Sequence, residues 1–238
     1  MLTFAPGAVL TRPMAVFLGS SNAEPRTGWV ADFAARNGWV GKNFAVGGGG
    51  FNQPGPLAFM AQAVAAVGDT SIRKSDVRFV FIVDCSNDTR GKSSIGSPAR
   101  EVLDLLVGAY PNARVVIVPE VLPLTAANAG PEILWWVTRH YNELRNIAQS
   151  YRRVEVVNNS WLWFWDTGAW SALEPIDVHL NPAGYARLAW FLEQYVNCSA
   201  EHANDLGDNT GNTAAPGEVH ARRVGGVVSV HGVFTLTA

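Results

Sequence analysis

The strongest constraint on this chain comes from two short segments, Val77–Val83 and Ala113–Val118. Both are dense in Val, Ile and Phe and alternate little between apolar and polar residues. That pattern is expected of strands buried on both faces, which occur in parallel sheets covered by helices on each side. Shorter β-like runs at Ala15–Leu18, Asn43–Val46 and Val154–Val157 extend the series. Helical patterns separate the runs. Thr27–Arg36 places Trp29, Val30 and Phe33 at helical spacing and stops at Asn37-Gly38; Pro56–Val67 is Ala-rich and periodic. Ala99–Ala109 turns Val102, Leu105 and Leu106 inward, and Pro131–Tyr151 is long. Pro182–Val196 opens on a proline suited to a first helical turn. Strand and helix thus alternate five times. The expectation is an α/β fold: a three-layer α/β/α, flavodoxin-like parallel sheet of about five strands with right-handed crossovers. In such sheets ligands sit at the carboxyl ends of the strands.

The pattern changes near Asn197. Residues 197–216 are rich in Asn, Ala, Gly, Asp, Ser and Thr, with almost nothing to build a core, so they read as a linker or extended arm. Residues 217–238 become β-like, with Val224-Gly225-Gly226-Val227 as a hairpin turn. A hairpin of that size is not stable alone. It is therefore expected to pack on the main domain, on another copy or on a larger assembly. The expected domains are residues 1–196, an arm at 197–216 and a β-rich tail at 217–238.

Charge narrows the function classes. Lys and Arg number 18 against 20 Asp and Glu, and charged residues are only 16% of the chain. A protein that works by neutralising phosphates should carry a basic excess or stripe, and none is visible. Nucleic acid is excluded as the main partner. No apolar stretch approaches the roughly 20 residues that span a bilayer, so membrane insertion is not expected. The N-terminal stretch is interrupted by Pro6 and Pro13 and lacks an early charge, so synthesis in a cytoplasm without a signal peptide is expected. Cys85 and Cys198 are too few for a disulfide framework and lack metal-ligand spacing; two free thiols are favoured over one bridge.

Four blocks could carry chemistry. They are Phe17-Leu18-Gly19-Ser20-Ser21-Asn22, Asn43 through Gly50 with four consecutive glycines, Val83-Asp84-Cys85-Ser86-Asn87-Asp88, and Asp177-Val178-His179-Leu180-Asn181-Pro182. Taken singly each has a plain reading: a helix cap at Ser20-Ser21, a flexible loop at the glycines, an Asx turn at Asn87-Asp88, a buried histidine at His179. A phosphate cradle at the glycines would need a Lys-Ser/Thr partner or a dinucleotide fingerprint, and neither follows.

In their order and content the four blocks resemble the SGNH (GDSL-type) hydrolase family, over residues 14–196. The resemblance implies Ser21 as nucleophile, the Ser21 and Gly48 N–H groups and the Asn87 amide as oxyanion hole, and His179 as general base. The chemistry is coherent with those residue types. A serine hydroxyl needs a nearby base, histidine suits that near neutral pH, and ester attack builds an oxyanion that preorganised N–H donors stabilise. No cofactor or metal is implied. Three positions depart from the family. Ser20 stands where the family has Asp and Cys85 where it has Gly; both are expected to adjust turn geometry more than chemistry. The family's acid, three residues before the histidine, is here Ile176. Asp177 is the first alternative for orienting His179; Glu174, or a Ser–His dyad oriented by a backbone carbonyl, remain open. The other histidines, His140, His202, His220 and His231, have no matching neighbours.

Trp161, Trp163, Trp165 and Trp170 precede the histidine. Alternation at 161, 163 and 165 puts three of them on one face of an extended segment. They are either core, or, with Trp163 and Trp165 as substrate-binding residues, a platform for sugar rings. The expected activity is a serine esterase that removes a small acyl group, acetyl first, from carbohydrate. Segments of the tail, Ala221–Gly232, are similar to C-terminal ends of bacteriophage tail and fibre proteins, and the first two blocks to SGNH domains of phage minor tail proteins. That similarity implies a virion component acting on host surface or cell-wall polysaccharide, with a homo-oligomer such as a trimer, or other tail proteins, held through residues 197–238. Two alternatives stand beside it: a structural or receptor-binding tail protein with an SGNH scaffold and little catalysis, and a stand-alone lipase or thioesterase.

Overall fold

The structure is a computed structural model and describes residues 12–91, 93–121, 131–158, 160, 179–197, 219–224 and 227–232. The chain divides into two compact units, Met1–Glu193 and Gln194–Ala238. The first unit contains a five-stranded sheet, all parallel, in the order β2-β1-β3-β4-β5. Its strands are β1 (Met14–Gly19), β2 (Val40–Asn43), β3 (Val77–Val83), β4 (Arg114–Val118) and β5 (Val154–Val156). Helices α1 (Trp29–Arg36), α2 (Phe59–Gly68), α3 (Ser86–Gly91), α4 (Gly96–Ala109), α5 (Pro131–Ala148) and α6 (Pro182–Asn197) connect and flank them.

The central strands are apolar because both of their faces are covered. Val16, Leu18, Val80, Ile82, Val115 and Ile117 share one buried cluster with Phe59 and Ala63 of α2, Val102 and Leu106 of α4, and Leu144 of α5. On the other face Phe17 stacks on Phe81 at 4.9 Å between ring centroids, and Phe33 of α1 meets both rings edge-on. Such edge-on and offset pairs add about 0.5–1.5 kcal/mol each beyond the area they bury. The buried strands and the two-sided cover match the architecture expected from the sequence.

Three local details differ from the sequence reading. The second strand lies at Val40–Asn43, upstream of the expected Asn43–Val46. Asn43 ends it by accepting the Ala45 N–H on Oδ1 at 3.0 Å, a local turn that competes with the strand ladder. The chain nevertheless stays beside β1, with Phe44 N–H donating to Phe17 O and Val46 N–H to Gly19 O. The Pro56–Val67 helix is split: a 3-10 turn covers Gly55–Leu57, and α2 starts only at Phe59. Ala58 between them is extended and bridges Gly50, which ties the glycine loop to the start of α2. The short helix α3 was not expected, because its run Ser-Asn-Asp-Thr-Arg-Gly has no apolar periodicity.

In the second unit, β6 (Val219–Val224) pairs antiparallel with β7 (Val227–Gly232). Val224 faces Val227 in the register, so two residues connect the strands, as the sequence implied. Most of the arm at 197–216, Cys198 included, lies outside the described residues. Among the described residues no helix is long and apolar enough to cross a membrane.

Candidate active site

The candidate groups gather where four parallel strands end. β1 ends at Gly19 and delivers Ser20, Ser21 and Asn22; β2 ends at Asn43 and delivers the glycines. β3 ends at Val83 and delivers Asp84 through Asp88, and β4 ends just before the buried Glu120. His179 arrives from the far end of the chain, three residues before α6 begins. Its Nε2 lies 2.8 Å from Ser21 Oγ, across 158 residues of sequence. That is hydrogen-bond distance for a base and the hydroxyl it would deprotonate.

The glycine run lies beside Ser21. A Cβ on Gly47 would come within 3.9 Å of Ser21 Cβ. Gly48 has φ +80, a left-handed conformation that glycine adopts without a side-chain clash. Gly49 is closely packed on three sides: a Cβ there would sit 2.6 Å from Gly19 O, 2.7 Å from Gln62 Nε2 and 2.8 Å from Val46 O. Gln62, buried on α2, accepts the Gly19 N–H at 2.9 Å and donates to Gly19 O at 3.0 Å, so it closes the strand end at both polar groups. The sequence reading gave Gln62 no role, since a polar residue in an Ala-rich helix carries no motif.

Asn87 stands in the first turn of α3 and donates one amide hydrogen to Gly49 O at 2.9 Å. Its second amide hydrogen remains for another acceptor. Among the described residues, neither the Ser21 N–H nor the Gly48 N–H donates to a protein acceptor. Asp88, one residue on, accepts the N–H groups of Phe51 at 2.7 Å and Asn52 at 2.9 Å. A Cβ on Gly50 would lie 2.7 Å from that carboxylate, so the close approach requires glycine. Burial raises the Asp88 pKa, against the pull of its backbone donors and of His140.

A second histidine sits below the site. His140 of α5 is fully buried; its Nδ1 lies 3.2 Å from Thr89 Oγ1 and its Nε2 2.7 Å from Ser93 O. Thr89 also donates to the buried Glu120. Burial lowers the His140 pKa below its ordinary 6.5, although Asp88 and Glu143 oppose the shift and Arg139 adds to it. The unfolded chain therefore takes up this proton first as pH falls. Stability is expected to drop as pH moves down from about 6.5, and His140→Gln should flatten that limb in urea titrations between pH 7 and 5. An unchanged slope in the variant contradicts the assignment.

Asp177, Glu174, Ile176, Trp161, Trp163, Trp165 and Trp170 lie outside the described residues. Cys85 is buried and unbridged, and burial pushes its thiol pKa well above the ordinary 9.0, which makes it inert. Among the described residues no group of His, Cys, Asp and Glu could hold a metal ion.

Comparison with known proteins bears on the fold and the family. No curated protein matches the chain by sequence. In solved structures the fold is similar to phospholipase A1 from Streptomyces albidoflavus, with a TM-score of 0.55 at 12% identity over 77% of this chain and 99% of that one. A lipolytic G-D-S-L family protein from Veillonella parvula gives 0.56 at 16% identity over 78% and 99%. A carbohydrate esterase family 2 enzyme with a carbohydrate binding domain, from Corynascus thermopiles, gives 0.54 at 14% over 80% and 67%. The model of the GDSL-like lipase/acylhydrolase family matches residues 13–187, which include the Ser21 turn, the glycine loop, Asn87 and His179. With its parallel sheet and its serine–histidine contact, the chain belongs to the GDSL-like lipase/acylhydrolase family.

Proposed function

We propose that this chain is a serine esterase that removes small acyl groups, acetyl first, from carbohydrate. The observation that carries the reading is the 2.8 Å contact between Ser21 Oγ and His179 Nε2. In the proposed reaction His179 Nε2 takes the hydroxyl proton as Ser21 Oγ bonds to the ester carbonyl carbon. The carbonyl oxygen becomes an oxyanion and accepts from Ser21 N–H, Gly48 N–H and the second amide hydrogen of Asn87. One such donor is worth about 2.7–4 kcal/mol of barrier. The intermediate collapses, the C–O bond to the sugar breaks, and His179 returns the proton to the leaving alkoxide. Water then repeats the sequence on the acyl-enzyme and frees the acid. Only water is consumed, so no cofactor is called for. Asp177 is the first choice for orienting the other ring nitrogen of His179, with Glu174 or a backbone carbonyl as alternatives.

Carbohydrate is favoured over lipid by the low charge and by Trp163 and Trp165, which would offer rings for stacking on sugars. The Corynascus structure shows that a fold of this kind serves a carbohydrate esterase. The tail similarity supports a setting in a phage virion, with residues 197–238 joining other copies or other tail proteins. The test compares p-nitrophenyl acetate with p-nitrophenyl decanoate and measures acetate released from acetylated xylan. Faster turnover of the acetyl ester together with acetate release is the expected result. Preference for the decanoyl ester makes the chain a lipase. Binding to host envelope without turnover makes it an adhesin.

A further inference from the structure

The nucleophile turn lacks the acidic residue that its motif ordinarily places before the serine: Ser20 stands there. The structure nevertheless brings a carboxylate to this turn from a neighbouring strand end. Asp84, the first residue after β3, is fully buried. Its Oδ2 accepts from Ser20 Oγ and, at 2.9 Å, from Asn22 Nδ2. One carboxylate oxygen therefore grips the residues on both sides of Ser21. The other oxygen accepts the Ser86 N–H at 3.2 Å.

The grip extends to the base. Asn22 Oδ1 accepts the N–H of Leu180, the residue after His179, and the Tyr185 hydroxyl, each at 3.3 Å. A backbone N–H can only donate, so Oδ1 must face Leu180 and Nδ2 must face Asp84. The orientation of the Asn22 amide is thus fixed from both ends. A chain of contacts runs from β3 through Asp84 and Asn22 to the histidine segment, and Ser21 lies inside it. Asp84 also has φ +72, the one non-glycine residue with positive φ among the described residues. Its own N–H donates to Val118 O at 2.8 Å, so the strained backbone is pinned to β4. Strain of this kind persists where the surroundings over-determine it, and it clusters at functional sites.

We propose that Asp84 is the positioning residue of the Ser21–His179 pair, holding the nucleophile turn through Ser20 and the histidine segment through Asn22. It touches neither substrate nor reacting atoms. The proposal rests on the esterase reading of Ser21. Its effect is on the distance and angle between Oγ and Nε2. A misplacement on the order of 1 Å can cost about 10²-fold in rate.

The test uses the full chain. Asp84→Asn removes the charge and turns one acceptor into a donor that faces another donor. The expected result is a fall in kcat of about 10- to 100-fold with KM nearly unchanged, and an equal fall in the rate of Ser21 labelling by a fluorophosphonate. The double variant S20D/D84N returns the carboxylate to the turn and gives it the introduced side-chain amide at position 84 as a donor, so it should recover most of the loss. Wild-type kcat in Asp84→Asn, or a loss that S20D/D84N leaves in place, overturns the proposal. Should Asp84→Asn fail to fold, Ser20→Ala removes one arm of the grip and leaves the other. A several-fold fall in kcat at constant KM is expected there, and no change overturns the proposal. Failure of the underlying reading looks different: the wild-type chain itself would neither turn over an ester nor take the label, and the proposal would fall with it.

Discussion

Ser21→Ala is expected to lower turnover of p-nitrophenyl acetate by at least about four orders of magnitude, since removing the nucleophile of such a site leaves only binding and oxyanion stabilisation. The fold should be unaffected. Ser21 is only half-buried, and its side-chain contact among the described residues is with His179. A stability change within about 0.5 kcal/mol is the expectation for such a position. The two readouts together matter. Lost activity with an unchanged melting temperature assigns the role to the hydroxyl. Retained turnover transfers the chemistry to another residue.

Gly49→Ala should produce a large structural effect. The new methyl would meet Gly19 O, Gln62 Nε2 and Val46 O, each at less than 3 Å. Gly19 O accepts the Val46 N–H that keeps the chain after β2 beside β1, Val46 O accepts the Gly49 N–H, and Gln62 is the side chain that closes Gly19. None can retreat without breaking a buried hydrogen bond. Overpacking of this kind costs about 1–3 kcal/mol or more. In a chain of this size that lowers the melting temperature by about 2–12 °C. Activity should fall with it, because Gly49 O is the acceptor that orients Asn87. Gly68→Ala, at the end of α2 with open space around its Cα, is the control and should be neutral or slightly stabilising. Equal behaviour of the two variants would mean that the glycine loop is not packed as described.

The sheet was legible in the sequence because its strands are buried on both sides. Val77–Val83 could hardly be anything but a central strand, and the structure gives it those bounds. The second strand was displaced because Val40-Gly41-Lys42-Asn43, at an edge, carries no apolar run, whereas the more apolar Phe44–Val46 follows it. The same contrast holds at the site. Ser21, Gly48, Asn87 and His179 were readable as motif positions in order. The contacts that place them were not. Asp84 faces Ser20 and Asn22 across more than sixty residues, and Gln62 reaches Gly19 across 43. Neither residue has a local pattern, because its partners are neighbours only after the sheet has formed. Asp84 in particular reads as an unremarked residue between a strand and a motif, until strand pairing sets β1 beside β3.

Ser21 as an activated nucleophile is tested most sharply by where a fluorophosphonate attaches. Treated at neutral pH and digested, the full chain is predicted to carry one adduct, on Ser21. His179→Ala should slow that labelling by orders of magnitude, since the hydroxyl is a weak nucleophile without its base. Absence of an adduct, an adduct on a different serine, or labelling that is indifferent to His179 would contradict that role for Ser21.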